Sequence, residues 1–438
     1  MKIYIRKKAF SPFLLFTLIV MSSLNALAQI KKEKRVDKTF TGKEVVRLTH
    51  GHGPLQVLKS KNNELKLEVV MSLEDKTEAD AQLALNNFNV DFDDIGNRLS
   101  VETQTNINNW ITNNGISKLT FSNGDKVKDI KNVKATMVVY VPKLKELYVA
   151  NKYDEIIIED GLDGSLEIKL YSGRIDAGNI NGNLSLEMKY SKGKIGNFQE
   201  GDFNLYDCDL KIGSGKKVEV ESKYSEIELG DLDEIEMEIY DDKYEIGNIK
   251  GKLLLQDKYS DLKIGNFSNA RMDVYDSDIT LKEGQDIQAK SKYTKFRIDK
   301  VKSLNFDLSY DDNVWIEHLE SLVTESKYSE YDIVNLKSSV VMNSYDDDLK
   351  VTHFVGPLKS IGIEGKYTKV SLKLPTNTEF RLDATTTYGN FSFPKERFEI
   401  EWENIGSTKR ELRGKTKNAS ADSPLIQLDL YDCDVDLD

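Results

Sequence analysis

Apolar residues occupy every second position in many short segments of this chain. Leu166, Ile168 and Leu170 form one such run, with charged residues between them. Because successive side chains of a β-strand point to opposite faces, this alternation predicts strands with one buried face. Turn-forming pairs such as Gly178-Asn179 and Asn181-Gly182 lie between the runs. The pattern therefore predicts an all-β protein made of short strands and tight turns.

A tyrosine recurs through the central part of the chain, mostly every 16 to 19 residues, and its neighbours alternate between two types. Type one is Lys-Tyr followed by Ser, Thr or Asp, and it contains Tyr153, Tyr190, Tyr224, Tyr259, Tyr293, Tyr328 and Tyr367. Type two is Tyr-Asp, with Tyr171-Ser172 as a degenerate first member, and it contains Tyr206, Tyr240, Tyr275, Tyr310 and Tyr345. A fixed period of this length is typical of a solenoid.

Apolar residues follow each tyrosine at fixed offsets. They lie three and five residues after a type-one tyrosine, and four and six residues after a type-two tyrosine. If these apolar positions stack from coil to coil, each type-one Lys lies over a type-two Tyr, and each type-one Tyr over a type-two Asp. Two adjacent columns result, one of Lys and Tyr and one of Tyr and Asp. A spacing of about 4.8 Å between coils then predicts cation–π contacts and charge pairing along the columns.

The repeat predicts a single-chain parallel β-helix, expected to be right-handed, over residues 141–393. An antiparallel meander and an outer-membrane barrel are the alternatives. A meander does not require like residues to recur in phase, and a barrel requires a lipid-facing apolar band in each strand, where this chain has charged residues. All seven prolines lie outside residues 143–356. Proline would remove a hydrogen bond from a strand that is paired on both sides, so its absence favours the β-helix.

The two ends of the chain depart from the tyrosine rhythm. Residues 29–140 contain alternating strands and a short polar segment of helical character near Asp75 to Asn87. We expect this region to be a β-rich cap, because an uncapped solenoid exposes its core and an unpaired strand edge. Residues 394–438 are predicted to form a long polar loop, followed by a closing strand at Ile426 to Leu437.

The first 28 residues have the pattern of a secretory signal peptide. Basic residues at Lys2 and Arg6 to Lys8 precede an apolar run from Phe13 to Met21, and Ala26 and Ala28 supply a cleavage site. We expect the mature chain to start near Gln29, with an uncleaved N-terminal anchor as the alternative.

The net charge of the chain is −12, and loss of the four basic residues of the leader gives −12 − 4 = −16. Nucleic acid and anionic lipid are therefore unfavourable partners. No segment after the leader is long and apolar enough to be a membrane helix. We expect a periplasmic or extracellular protein that does not span the membrane after cleavage.

The only two cysteines lie in nearly identical strings. Cys208 follows Leu205-Tyr206-Asp207, and Cys433 follows Leu430-Tyr431-Asp432. Equivalent positions that are many coils apart are separated by roughly 50 Å, far beyond the reach of a disulfide. The sequence therefore predicts no intramolecular bridge.

Most of the mature chain, from about residue 36 to the end, resembles the bacterial exported adhesin-like families of unknown function, the head-GIN type and its relatives. The resemblance lies in Val141-Pro142-Lys143, Asn151-Lys152-Tyr153, Gly161-Leu162-Asp163-Gly164 and the repeated tyrosine turns. Members commonly have a Tyr-Gly turn, which this chain retains only at Tyr388-Gly389. The resemblance implies a right-handed β-helix outside the cytoplasm, and it supplies no catalytic residues.

Motifs for metal or catalytic chemistry are weak. His50 and His52 are candidate metal ligands if they share a face of a strand, but two solvated histidines in a turn are the favoured interpretation. Aspartates within a single type-two turn are candidate calcium ligands, whereas aspartates of different coils lie too far apart to share an ion. Solvated turn carboxylates are the favoured interpretation. No cofactor is predicted.

The columns themselves are the best candidate for function. We expect an exported adhesin-like scaffold, not an enzyme, that presents a long face to a glycan or an envelope protein. The candidate residues are Tyr206, Lys223, Tyr240, Lys258, Tyr275, Lys292, Asp207, Asp241 and Asp276. A carbohydrate-active β-helix enzyme and a purely structural envelope protein are the alternatives.

Overall fold

A computed structural model describes residues 30–437 and shows a nearly all-β chain with one α-helix. The predicted signal peptide at residues 1–28 lies outside this range. None of the helices within residues 30–437 has the length and apolar character needed to cross a membrane.

Strands follow one another along almost the whole chain. The N-terminal elements are β1 (Ile30–Thr41), β2 (Val45–Thr49), β3 (Leu55–Lys59), β4 (Glu64–Asp75), α1 (Glu78–Asn86), β5 (Phe88–Ile95), β6 (Arg98–Thr105), β7 (Ile107–Asn113), β8 (Ile116–Phe121) and β9 (Lys126–Val141). The central strands are β10 (Glu146–Lys152), β11 (Glu155–Ile158), β12 (Ser165–Tyr171), β13 (Arg174–Ala177), β14 (Leu184–Lys189), β15 (Lys192–Ile195), β16 (Glu200–Tyr206), β17 (Asp209–Ile212), β18 (Lys217–Lys223), β19 (Glu226–Leu229), β20 (Glu234–Tyr240), β21 (Lys243–Ile246), β22 (Ile249–Lys258), β23 (Asp261–Ile264), β24 (Phe267–Tyr275), β25 (Asp278–Lys292), β26 (Lys295–Tyr310), β27 (Asn313–Lys327) and β28 (Glu330–Tyr345). The C-terminal strands are β29 (Asp348–Phe354), β30 (Ser360–Lys366), β31 (Lys369–Leu372), β32 (Arg381–Thr387), β33 (Asn390–Ser392), β34 (Phe398–Ile405), β35 (Lys409–Thr416), β36 (Leu425–Tyr431) and β37 (Asp434–Asp436), with a 3-10 turn at Lys395–Arg397.

Successive coils pair in parallel with equivalent residues in register. Tyr206 pairs with Lys223, and Lys223 pairs with Tyr240 on the next coil. Beyond the corner, Leu210 pairs with Ile227 in the same way. The predicted parallel solenoid and its Lys/Tyr column are therefore confirmed.

The core runs as one cluster along the inside of the coils. Inward residues such as Leu210, Ile227 and Leu262 are at most 1% exposed, whereas the charged residues between them face outward. This alternation is what the period-two pattern of the sequence requires. Burial of one apolar face on most strands of the coils is the main contribution to the stability of the rod.

The first coil lies earlier in the chain than the predicted start at residue 141. Strand β2 pairs in parallel with β10, and β3 pairs in parallel with β11. In this coil His52 occupies the place that tyrosine takes in later coils, at a φ of 62°. The prediction missed the coil because it was based on tyrosine alone.

The remaining N-terminal elements cover this first coil. Strand β6 pairs in parallel with β2, while β9 pairs in parallel with β3 and then antiparallel with β4. Helix α1 lies within the predicted helical segment. Its N-cap is Thr77, whose hydroxyl accepts a hydrogen bond of 3.1 Å from the amide of Asp80. Its buried face is formed by Ala81, Ala84 and Leu85.

The stretch predicted as a long loop is a β-hairpin. Strands β34 and β35 pair antiparallel with each other, and β35 pairs antiparallel with β32. Basic residues of this stretch form ion pairs across these strands, with Arg410 2.7 Å from Glu403 and Arg413 3.3 Å from Asp383. Opposite charges on neighbouring strands stabilise a sheet, so a highly charged segment is compatible with strand here.

The closing strand is inserted among earlier coils, whereas the sequence predicted that it follows them. Strand β36 pairs in parallel with β30 on one side and with β32 on the other. Strand β37 likewise lies between β31 and β33.

Candidate functional site

The corner between the two strands of each coil has a left-handed backbone. One residue in each corner has a φ between 51° and 68°, and the set is His52, Tyr153, Ser172, Tyr190, Asp207, Tyr224, Asp241, Tyr259, Asp276, Tyr293, Asp311, Tyr328, Asp346, Tyr367, Tyr388 and Asp432. These residues are called the corner column. Aspartate tolerates a positive φ, but a bulky side chain there is an outlier. The corner column is thus the predicted column of Tyr and Asp, with a strained tyrosine in every type-one coil.

A column of small polar residues lies buried directly beneath the corner. It follows the corner column by one residue and contains Ser191, Cys208, Ser225, Asp242, Ser260, Ser277, Thr294, Asp312, Ser329, Asp347, Thr368 and Cys433. These residues are called the polar column. The amide of Ser225 donates to Asp242 Oδ1 at 2.6 Å, and the amide of Asp242 donates to Ser260 Oγ at 3.1 Å. The hydroxyl of Ser225 donates to the carbonyl of Lys223 at 3.0 Å, so the column satisfies backbone groups at the corner.

The aspartates of the turns fall into two classes. Asp207, Asp241 and Asp276 in the corner column are exposed, as expected for solvated turn carboxylates. Asp242 and Asp347 in the polar column are only 4% exposed, which corrects that interpretation for them. Burial raises the pKa of each from an ordinary 3.8 to about 6, against the opposing effect of hydrogen bonds from backbone amides.

The tyrosine rings pack against one another along the whole rod. Neighbouring rings have centroids 5.3 to 5.9 Å apart and planes at 75° to 87°, which is edge-to-face geometry. The tyrosine ladder, as we call it, consists of Tyr153, Tyr171, Tyr190, Tyr206, Tyr224, Tyr240, Tyr259, Tyr275, Tyr293, Tyr310, Tyr328, Tyr345, Tyr367, Tyr431 and Tyr388. At its N-terminal end His52 stacks on Tyr153 at 5.6 Å and on Trp110 at 4.4 Å.

The ring contacts replace the predicted cation–π contacts. Lys223, Lys258 and Lys292 are exposed, and the cation–π pairs within residues 30–437 lie elsewhere, as between Arg297 and Trp315. The reason is that a tyrosine in the corner column reaches the type-two tyrosine of the next coil. The six predicted residues from Tyr206 to Lys292 still form one column, because their strands pair in register.

The exposed rings of the type-one coils are not among the predicted site residues. Tyr224, Tyr259 and Tyr293 are 46%, 43% and 42% exposed, whereas Tyr206 and Tyr240 are half-buried. Partial loss of hydration raises the pKa of the three exposed rings, and their neighbouring tyrosines add to the effect. Their hydroxyls are therefore neutral donors and acceptors at physiological pH.

A shallow groove of about 440 Å³ follows the corner. One wall is formed by Tyr224, Asp241, Tyr259, Asp276 and Tyr293, the floor by the polar column, and the other wall by charged residues including Glu226 and Lys243. Lys243 pairs with Glu226 at 2.5 Å. A similar groove continues along the corner toward the N-terminus, past Tyr190 and Ser172. The arrangement offers aromatic rings and hydrogen-bonding groups in a repeating row.

A second groove of about 540 Å³ lies on the outer face of the sheet that precedes the corner. Glu219 pairs in register with Glu236, and Glu221 pairs with Glu238. Like charges directly opposite each other weaken a strand pair.

The two N-terminal histidines lie in different environments. His50 is buried, with its ring nitrogens 2.9 Å from Thr103 Oγ1 and 3.0 Å from the carbonyl of Ala135. Burial lowers the pKa of His50 to about 4 and also lowers the pKa of His52. His50 is therefore not a solvated turn residue, which corrects the favoured interpretation for this histidine, whereas His52 lies half-buried at the corner. Within residues 30–437, no three His, Cys, Asp or Glu side chains are grouped so as to hold a metal ion.

Both cysteines are free and buried. Each occupies the polar column, where Cys208 Sγ donates to the carbonyl of Tyr206 at 3.4 Å and Cys433 Sγ to that of Tyr431 at 3.3 Å. Burial raises the pKa of both thiols. They take the place of serine in this column.

Comparisons with known proteins give distant structural likenesses. No protein-family model and no curated protein matches the chain. A "putative cell adhesion protein" from Clostridium sporogenes is 8% identical, with 93% of this chain and 99% of that chain covered and a TM-score of 0.17. A "putative adhesin" from Parabacteroides merdae is 13% identical, with 77% and 95% covered and a TM-score of 0.20. A "putative lipid binding protein" from Parabacteroides distasonis is 9% identical, with 77% and 96% covered and a TM-score of 0.17.

Proposed function

We propose that this chain is an exported scaffold of the periplasm or cell surface whose tyrosine ladder binds an extended glycan. The observation that carries the proposal is the exposed tyrosine at a left-handed corner in every type-one coil. The polar residues recur evenly along the rod and do not gather in one coil, so the proposed role is binding without catalysis.

The energetics of the corner support a role for the rings beyond the turn itself. A left-handed conformation costs a residue with a side chain about 1–2 kcal/mol. The type-two coils make the same corner with aspartate, as at Asp241 with a φ of 54°. Tyrosine at Tyr224 or Tyr259 is therefore not needed to form the turn, and its large apolar ring is placed at the surface.

The repeat of the ladder suits a polymer of repeating units. Adjacent rings are nearly perpendicular, so rings of one orientation recur every second coil, about 9.6 Å apart along the rod. Tyrosine supplies a flat apolar surface for a sugar ring and a hydroxyl for its polar groups. The acidic charge of the chain favours a neutral or basic glycan over an acidic one.

The test is a comparison of glycan binding by the wild-type protein and a triple variant. Tyr224→Asn, Tyr259→Asn and Tyr293→Asn remove three rings while leaving a residue that accepts a positive φ. We expect at least a tenfold loss of affinity for a neutral envelope polysaccharide, measured by calorimetry, with an unchanged circular dichroism spectrum. Trp315→Asn removes an outward aromatic residue from another face and is the matched control. Absence of binding to a glycan array, or equal binding by the triple variant, contradicts the proposal.

A purely structural role is the second candidate, favoured by the continuous contact of the rings with one another. It predicts that the triple variant loses stability and changes no binding.

A further inference from the structure

The sequence order of the corners contains an irregularity near the C-terminus. Type-one and type-two corners alternate up to Tyr345, but Tyr367 and Tyr388 then follow each other and both have a left-handed φ. The missing type-two corner is supplied by Tyr431-Asp432, which lies between them. The ladder is continuous only through this insertion, since Tyr431 is 5.9 Å from Tyr367 and 5.6 Å from Tyr388.

The inserted segment is called the C-terminal rung and consists of β36 and β37. The space that it fills, between β30–β31 and β32–β33, is called the rung slot. The rung is paired on both sides, and Ile426, Leu428 and Leu430 are at most 2% exposed. An empty slot would expose apolar core and two unpaired strand edges, so it requires a strand of this pattern.

The C-terminal rung lies later in the sequence than the strands on both sides of the rung slot. Strands β30 to β33 precede it, so the rung enters a slot formed by earlier segments. Residues 417–424 link it to β35. A linker of eight residues, 417 to 424, spans at most roughly 27 Å when extended.

We propose that the rung slot binds the C-terminal rung of a second copy of this chain, giving a strand-exchanged dimer joined at the C-terminal ends of two rods. The rung of a second copy makes the same backbone pairs and buries the same side chains as the chain's own rung, so exchange conserves every contact. The linker length requires the two slots to lie side by side. This inference is independent of glycan binding.

Disulfide trapping tests the exchange between two variants that each carry one introduced cysteine, both made in a chain whose own cysteines are replaced by Cys208→Ser and Cys433→Ser. Ser392 and Asp436 are register partners across the slot, and their side chains form a hydrogen bond of 2.5 Å. Neighbouring strands hold the two Cα atoms about 4.8 Å apart, within the range for a disulfide. When full-length Ser392→Cys and Asp436→Cys proteins are mixed and mildly oxidised, a bond between them forms only if one rung occupies the slot of the other copy.

The internal pair Lys211→Cys and Glu228→Cys is the matched control. These residues are also outward register partners, but on coils that continue in both directions. We expect at least tenfold more intermolecular disulfide from the rung pair than from the control pair, together with a dimer in light scattering. A double variant with Ser392→Cys and Asp436→Cys in one chain shows that the bond can form. The proposal is wrong if the disulfide of the double variant forms within one chain while the mixed rung pair gives no more intermolecular disulfide than the control pair. The rung then does not exchange.

Discussion

Replacement of the buried Asp242 or Asp347 by serine is expected to remove a loss of folding stability that occurs as the pH rises toward 7. Asp242 has a folded pKa of about 6 against an ordinary value of 3.8, so the folded state binds its proton more tightly. The stability that this group contributes is present below pH 3.8 and is lost as pH rises through 6. The difference corresponds to about 3 kcal/mol at pH 7. Asp347 has the same folded pKa for the same reason, which is burial.

Serine is the natural substitute because other coils use it at this position. Ser260 Oγ accepts the amide of Asp242, so a serine at 242 can accept the amide of Ser225 in the same way. We expect Asp242→Ser to be about 1–3 kcal/mol more stable than the wild type at pH 7, and no more stable at pH 4.

Urea denaturation followed by circular dichroism at pH 4, 5.5 and 7 measures this difference. Asp241→Asn is the matched control, since it removes the same charge at the exposed neighbouring residue and keeps a side chain that accepts a φ of 54°. We expect this control to follow the pH dependence of the wild type. If Asp242→Ser loses stability in parallel with the wild type between pH 4 and 7, burial does not hold this carboxyl near pH 6 and the reasoning is refuted.

Three further substitutions test the corner, the acidic face and the rung slot. Tyr259→Asn should change the free energy of unfolding by no more than about 1 kcal/mol in urea, because relief of the left-handed strain offsets the loss of two ring contacts. Glu236→Lys should raise stability by about 0.5–1 kcal/mol, since it faces Glu219 in register, and added salt should reduce the gain. Gly389→Ala should destabilise the C-terminal rung by about 1–3 kcal/mol, seen as faster proteolysis of the C-terminus, because a Cβ at 389 would lie 2.1 Å from the carbonyl oxygen of Cys433.

The repeat of the sequence was sufficient to predict the stacking of the coils. Apolar offsets determined which residues pair, so the register of Tyr206, Lys223 and Tyr240 was confirmed. A one-residue shift in a strand would turn its apolar side chains to solvent, which is why this part of the prediction is robust. The coil that contains His52 was missed because it keeps the corner and replaces the tyrosine.

The direction of side chains at the corner was not predictable from the same pattern. A period-two rule assumes extended backbone, and it fails where the φ of Tyr224 or Asp241 is positive. That change of direction brings tyrosine rings together and turns the next residue, such as Asp242, into the core. The buried polar column was therefore hidden among residues that look like ordinary turn aspartates and serines.

The alternation of corner types is explained by the geometry of the rings. Rings from identical positions in successive coils adopt a stacked arrangement, as His52 and Tyr153 do at 27°. Rings that come alternately from the corner column and from the end of the preceding strand meet edge-to-face, as Tyr224 and Tyr240 do at 79°. Edge-to-face packing is favoured over a face-to-face sandwich, so a long ladder requires two corner types in strict spatial alternation. The corner column has two tyrosines that are consecutive in sequence, Tyr367 and Tyr388. A type-two strand from elsewhere must therefore lie between them, and the C-terminal rung meets that requirement.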